Sequence, residues 1–269
     1  IHPAGISCLD RLGLLETLKA TGTPAQETVT VDFGPMALTG TPAPAADGTI
    51  LGYAPRRFIF DPLLAVAAVE AGAAFWQGVT FLAPLIEDGR VVGITAATRS
   101  GQEIKVRARL VVGADGKRSR FAKAVGAESY NVNPATTCTY YAYWSGFEAP
   151  HTHLFVRHGR FYVAAPTNDG LTFLGIVWPI EEFRHVRADI SRAYRAAAAE
   201  IPWIAERMSG SSLRDAEVIC CCISSSMLRS NNVRIGTASC AVVAQLIRPS
   251  KSPPASVFIR PSLANYGQK

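Results

Sequence analysis

Acid is missing from the last fifth of the sequence. After Glu217 there is no Asp or Glu, while Arg229, Arg234, Arg248, Lys251, Arg260 and Lys269 all lie beyond Cys222. Those six of the 27 basic residues account for the net charge of +6, and leave 21 against 21 acidic residues elsewhere. The main body is neutral and has no basic stripe, so nucleic-acid binding is not expected. Long apolar runs are missing too. The longest, Leu63–Phe75, is too short to span a bilayer and contains Glu70. Cys8, Cys138, Cys220, Cys221, Cys222 and Cys240 contain no C-x-x-C pair. Adjacent cysteines in a strand face opposite ways, which suits neither zinc nor a disulfide framework and points to buried thiols in a reducing cytoplasm. No basic-then-apolar leader opens the chain, which begins at Ile1 and is expected to be soluble.

What remains is ordinary globular material. With 269 residues, 48% hydrophobic and 18% charged, the chain can bury one large core or two small ones. Apolar spacing predicts a helix over residues 4–21, capped at Gly22, and alternation predicts strands over 27–34 and 48–54 that pair with one another. A helix over 61–72 follows, with Pro62 in its first turn. Strands over 79–86, 91–98 and 103–108 are joined by turns with hairpin chemistry, "EDGR" and "RSGQ". The run "ARLVVGA" (Ala108–Ala114) predicts a strand buried on both faces of a parallel sheet. A helix over 119–127 comes next. From Pro134 the pattern becomes an antiparallel sheet, then helices over 190–200 and 201–209 and a strand near 216–222.

The junction "VVGADGKRSR" (Val111–Arg120) places a carboxylate between glycines where a strand meets a helix. Such a junction offers unpaired N–H groups and the positive end of a helix dipole. Gly113 and Gly116 allow a ligand close approach, and Asp115 either accepts a ligand's hydrogen bonds or caps the helix. His151 and His153 share a strand face as two metal ligands would, but no third ligand lies near them in sequence, so no metal site is expected.

Strand, G-A-D-G-x-x-S and helix, directly after a three-stranded meander, resemble the second cofactor motif of FAD-dependent aromatic hydroxylases. These are the para-hydroxybenzoate-hydroxylase-like monooxygenases, related to geranylgeranyl reductases and flavin halogenases. "RRFIFDPLL" (Arg56–Leu64) resembles the same family's Arg-x-x-Leu-Asp helix start, with Arg57 at the Arg position. The resemblance extends over residues 1–222. It implies an α/β fold: an incomplete Rossmann-like FAD/NAD(P)-binding domain with a β-meander (1–24 and 53–132), an antiparallel α+β substrate domain (25–52 and 133–222), and an irregular basic tail (223–269). It implies FAD as cofactor, held by Arg57, Phe81, Gly113, Asp115 and Gly116, and NAD(P)H as co-substrate. It also implies hydroxylation of an aromatic or apolar small molecule, with Tyr140, Tyr141, Tyr143, Trp144, Phe161, Tyr162 and Phe173 as candidate pocket aromatics and no acid–base triad.

Three departures accompany the resemblance. The family's opening G-x-G-x-x-G unit is absent, so an upstream βαβ segment is expected. Ala122 replaces the Arg that follows the Ser of the motif, with Arg120 and Lys123 nearby. "RIGTASCAVVA" (Arg234–Ala244) stands where a Gly-Asp motif is expected, and a changed reading frame near Asn231 would account for it. Two other readings follow: a non-catalytic fragment that binds no flavin, and a flavin-dependent isoprenoid reductase.

Overall fold

Ile6, Leu9 and Leu18 are buried on two short helices, α1 (Pro3–Arg11) and α2 (Leu15–Ala20). The single helix expected over 4–21 is broken at Gly13, which sits at φ +71°. A left-handed residue ends an α-helix, and the Leu14 N–H turns back to the Leu9 carbonyl at 2.8 Å. The fold is that of a computed structural model, which describes residues 1–130, 132, 134–213, 219–224 and 257–259. The expectations placed at Asn231 and at 234–244 lie outside these residues.

Four short strands follow: β1 (Ala25–Gln26), β2 (Val29–Asp32), β3 (Ala37–Gly40) and β4 (Gly52–Tyr53). The expected pairing of 27–34 with 48–54 is not made; β2 pairs with β3, and β1 with β4. The Asp32 carboxylate accepts the Gly34 N–H at 2.6 Å, and this Asx turn reverses the chain directly after β2. Helix α3 (Arg57–Glu70) begins four residues earlier than expected, because the Arg56 carbonyl accepts the N–H groups of Ile59 and Phe60. Pro62 therefore lies inside the helix, where it withholds one N–H from the ladder. No residue of α3 is buried.

After β5 (Ala74–Trp76) comes the meander, β6 (Thr80–Glu87), β7 (Arg90–Ala97) and β8 (Glu103–Arg107), antiparallel in sequence order as the turn chemistry predicts. The strand expected over 108–114 does not form. Leu110 and Val112 are 70% and 65% exposed, and among the described residues no strand lies beside this segment. A lone strand has no ladder for its backbone, whatever its side chains. Helix α4 (Arg120–Ala124) is shorter than the expected 119–127 and ends before Gly126, at φ +65°.

The larger sheet is built from β9 (Thr137–Ser145), β10 (Thr152–Arg157), β11 (Arg160–Pro166) and β12 (Leu171–Pro179). Helices α5 (Phe183–Ala188), α6 (Ile190–Ala199) and α7 (Pro202–Ser209) follow, α5 being additional to the two expected. Short strands β13 (Ser212–Leu213) and β14 (Ile219–Ser224) both pair with β9, and β15 (Val257–Ile259) runs parallel to β5. The order across the large sheet is β13-β9-β12-β11-β10-β2-β3, antiparallel except where β10 meets β2. One face carries Tyr140, Trp144, Phe155, Tyr162, Leu174, Ile176 and Trp178, which form the core with Tyr194 and Ile204 of the helices. Cys138 is buried there as expected of a core thiol, whereas Cys8 is exposed.

Two compact units result. Ile1–Leu63 groups with residues from Pro134 to Ser224, and Leu64–Val132 with β15. The boundary falls within α3, so residues 1–24 and 53–63 group with the large sheet and not with the meander. Among the described residues no helix is long and apolar enough to cross a membrane.

Candidate functional site

Gly116, at φ +89°, turns the chain so that the Asp115 carboxylate points back at the start of α4. Asp115 Oδ2 accepts the N–H groups of Arg120 at 2.7 Å and Phe121 at 3.1 Å, and Oδ1 accepts the Ser119 hydroxyl. Ser119 is the N-cap and accepts the Ala122 N–H at 2.9 Å. Burial acts to raise the Asp115 carboxyl. The Ser119 hydroxyl and the N–H groups of Phe121, Asp115 and Arg120 outweigh it and hold the acid below its ordinary range. In this structure Asp115 is a helix cap.

Phe81, on β6, meets the Phe121 ring edge-on, with centroids 5.5 Å apart. The same ring closes over Gly113, where a Cβ would lie 2.8 Å from Phe121 Cδ1. Phe81, Gly113, Asp115 and Gly116 therefore belong to one local structure within the smaller unit, with Phe121 the member that the sequence did not single out.

Arg57 belongs to the other unit. Its guanidinium is 61% exposed and grips Asp61 with two bonds, Nε to Oδ1 at 2.7 Å and Nη2 to Oδ2 at 3.1 Å. Its neighbour, not singled out by any motif, is the buried one of the pair. Arg56 is 91% buried, pairs with Asp169, and lies over the rings of Phe58 at 4.3 Å and Tyr143 at 5.9 Å. The Arg56 N–H donates to Asn168 Oδ1 at 3.1 Å. Asn168 Nδ2 in turn donates to the Thr21 carbonyl at 3.0 Å and to Thr23 Oγ1 at 2.8 Å. This knot fixes the start of α3 against the turn before β12. Its trace in the sequence is the "NDG" turn (Asn168–Gly170) between two apolar strands.

The seven candidate aromatics divide by strand alternation. Tyr140, Trp144 and Tyr162 face the helices and are core. Tyr141, Tyr143, Phe161 and Phe173 point to the opposite face and are half-buried. The rings of Tyr141, Tyr143 and Phe173 lie 5.2 to 6.0 Å apart. Leu154, Val156, Val163 and Val177 share this face. An antiparallel sheet with one solvated face normally alternates apolar with polar; here both faces are apolar.

His151 and His153 share a face as expected, their rings stacked 4.3 Å apart, with His153 stacked 4.4 Å from Trp203 of α7. Burial, then the charges of His151 and Arg207, push His153 down to about 4, against the pull of Asp32. Among the described residues no third His, Cys, Asp or Glu joins them.

Comparison with known proteins decides the family. A profile of the FAD binding domain matches residues 1–211. The chain belongs to the FAD-binding-domain family. Digeranylgeranylglycerophospholipid reductase 2 of Methanopyrus kandleri is 33% identical over 132 residues, which cover 46% of this chain and 33% of that protein. The chain thus matches about a third of that relative's length. Among solved structures, the myxobacterial chondrochloren halogenase, FAD-dependent, superposes with TM-score 0.71 at 22% identity, covering 79% of this chain and 51% of that one. A flavoprotein/dehydrogenase of Cytophaga hutchinsonii gives TM-score 0.69 at 18% identity, over 80% and 54%. The mixed α/β fold is that of the FAD-binding family, and FAD is its cofactor.

The residues present fit FAD in two respects. A Cβ at Gly116 would meet nothing within 4 Å, so a ligand can approach this turn closely. Arg57 carries a planar fork of the kind that binds phosphate, engaged here with the Asp61 carboxylate. The N–H groups at the start of α4 contribute less, because Asp115 and Ser119 already take them.

Proposed function

We propose that the chain serves an NAD(P)H-driven, FAD-dependent oxidoreductase reaction of the monooxygenase type on an aromatic or apolar small molecule. The observation that carries this reading is the apolar second face of the large sheet, opposite the helices, in a chain whose first 211 residues match the FAD binding domain. Tyr141, Tyr143, Phe161 and Phe173 would hold the substrate there and exclude water. Bound FAD supplies the two-electron redox chemistry. Arg57 would exchange Asp61 for a cofactor phosphate. Gly116, in a turn held by Asp115, would present open backbone to the cofactor, while Gly113 makes room for Phe121, which Phe81 braces. In this reading residues 1–24 and 53–132 form the FAD-binding part, and 25–52 with 133–222 the substrate part. Similarity to the Methanopyrus reductase supports a second reading, reduction of isoprenoid double bonds, on the same apolar face.

Titrating the purified chain with FAD, followed by flavin fluorescence, tests the proposal. Saturable binding is expected, weakened about tenfold by Arg57→Ala and less by Arg57→Lys. A chain that takes up no FAD would be the non-catalytic alternative.

A further inference from the structure

The smaller unit holds a hollow of about 560 Å³ lined by Lys117, Arg118, Ser119, Arg120, Lys123 and Ser129, among others. None of the described residues that line it is acidic. Arg120 and Lys123 stand three apart on α4 and share a face, while Lys117 and Arg118 come from the turn after Gly116. Among the described residues Arg118, Arg120 and Lys123 make no ion pair. Of the two acids nearest in sequence, Asp115 is engaged by Ser119 and the backbone of α4, and Glu128 is exposed between Ala127 and Ser129. Three cations without an ion pair, with Lys117 beside them, thus line a concavity within the size range of small-molecule sites, roughly 300–1,000 Å³. Without these four, residues 1–222 hold 17 basic against 21 acidic residues, so this concentration is local.

We propose that this hollow is a binding site for a small phosphate monoester, recognised by side chains and not by the helix N-terminus, whose N–H groups are occupied. A dianion suits Arg118, Arg120 and Lys123 better than a carboxylate does, because each arginine or lysine gains a charge-assisted bond. The volume exceeds that of a free phosphate ion and leaves room for the esterified group. That group is either a nucleoside or a glycerol headgroup, and the shared chemistry is the phosphate.

Isothermal titration of the full chain with AMP, adenosine, glycerol phosphate and glycerol tests it. At least one ester is expected to bind about tenfold or more tightly than its parent alcohol, with inorganic phosphate competing and sodium chloride weakening it. Tighter AMP identifies a nucleotide; equal or tighter glycerol phosphate identifies a headgroup. The double variant Arg118→Glu, Lys123→Glu should lose about tenfold or more, and Arg118→Lys should retain most of the affinity. Should the double variant fail to fold by circular dichroism, Arg118→Gln is expected to lose about threefold. Esters that bind no better than their alcohols, or unchanged affinity in a folded charge variant, would overturn the proposal.

Discussion

The segment "LTFLGIVW" of β12 and the segment "ARLVVGA" at 108–114 are equally apolar and have opposite fates. Leu174 and Ile176 of β12 are fully buried, between the flanking strands β9 and β11 and beneath the helices. Leu110 and Val112 face solvent. The two regions differ in neighbours, not in composition. An apolar run specifies that a segment seeks burial; the segments paired beside it decide whether burial is reached. Helix α3 makes the same point, being apolar along its length with no buried residue.

Truncation should separate the two regions most sharply. Leu174→Ala is expected to cost about 2–5 kcal/mol, whereas Leu110→Ala should stay within about 0.5 kcal/mol, both read from urea unfolding. Comparable losses would mean that Leu110 is buried in solution, and the contrast would fall. Next comes the Asn168 knot in the well-packed unit. Asn168→Ala leaves Thr23, the Thr21 carbonyl and the Arg56 N–H without their partner, a loss of about 1–3 kcal/mol by the same measurement.

The same unit should weaken in mild acid. His153 is held down to about 4 in the fold, so below its ordinary pKa of 6.5 the unfolded chain binds a proton that the folded chain refuses. Stability therefore falls as pH drops from that value towards the folded pKa, and is flat above it. The slope stays below the roughly 1.4 kcal/mol per pH unit of one full proton, because the ring is partly solvated. His153→Phe should remove this component from a Tm-against-pH series. A wild-type Tm unchanged between neutral pH and the folded pKa would contradict the burial of His153.

The smallest effect belongs to the smaller unit. Asp115→Ala removes a cap and should cost about 1 kcal/mol, with Asp115→Asn costing less. The folded pKa of Asp115 is depressed, so its contribution is present above the unfolded carboxyl pKa and disappears as pH falls through the folded one. Equal stability of wild type and Asp115→Ala at neutral pH would remove the cap.

Local chemistry was legible in the sequence and long-range pairing was not. The hairpins at Glu87–Arg90 and Arg99–Gln102, the four main strands of the large sheet and the Asp-Gly turn were all readable, because turn residues and alternation act over a few positions. The turn that pairs β2 with β3 is made by the Asp32 side chain, the Phe33–Met36 backbone bond and Gly34 at φ +97°, and the break at Gly13 by one backbone dihedral. Within the candidate site, Phe121 hid in an ordinary helical pattern. Arg56 hid beside Arg57, since only burial tells two adjacent arginines apart.

Asn168 has a bearing on how this molecule assembles in time. Its bonds reach across 112, 145 and 147 positions of the chain. Closing loops of that length demands that most of the large sheet already be in place, so the knot belongs to the last steps of folding. Removing it would leave the refolding rate nearly untouched and accelerate unfolding by almost the full stability loss. The amide thus acts as a latch on the lifetime of the folded unit, more than as a guide to its formation.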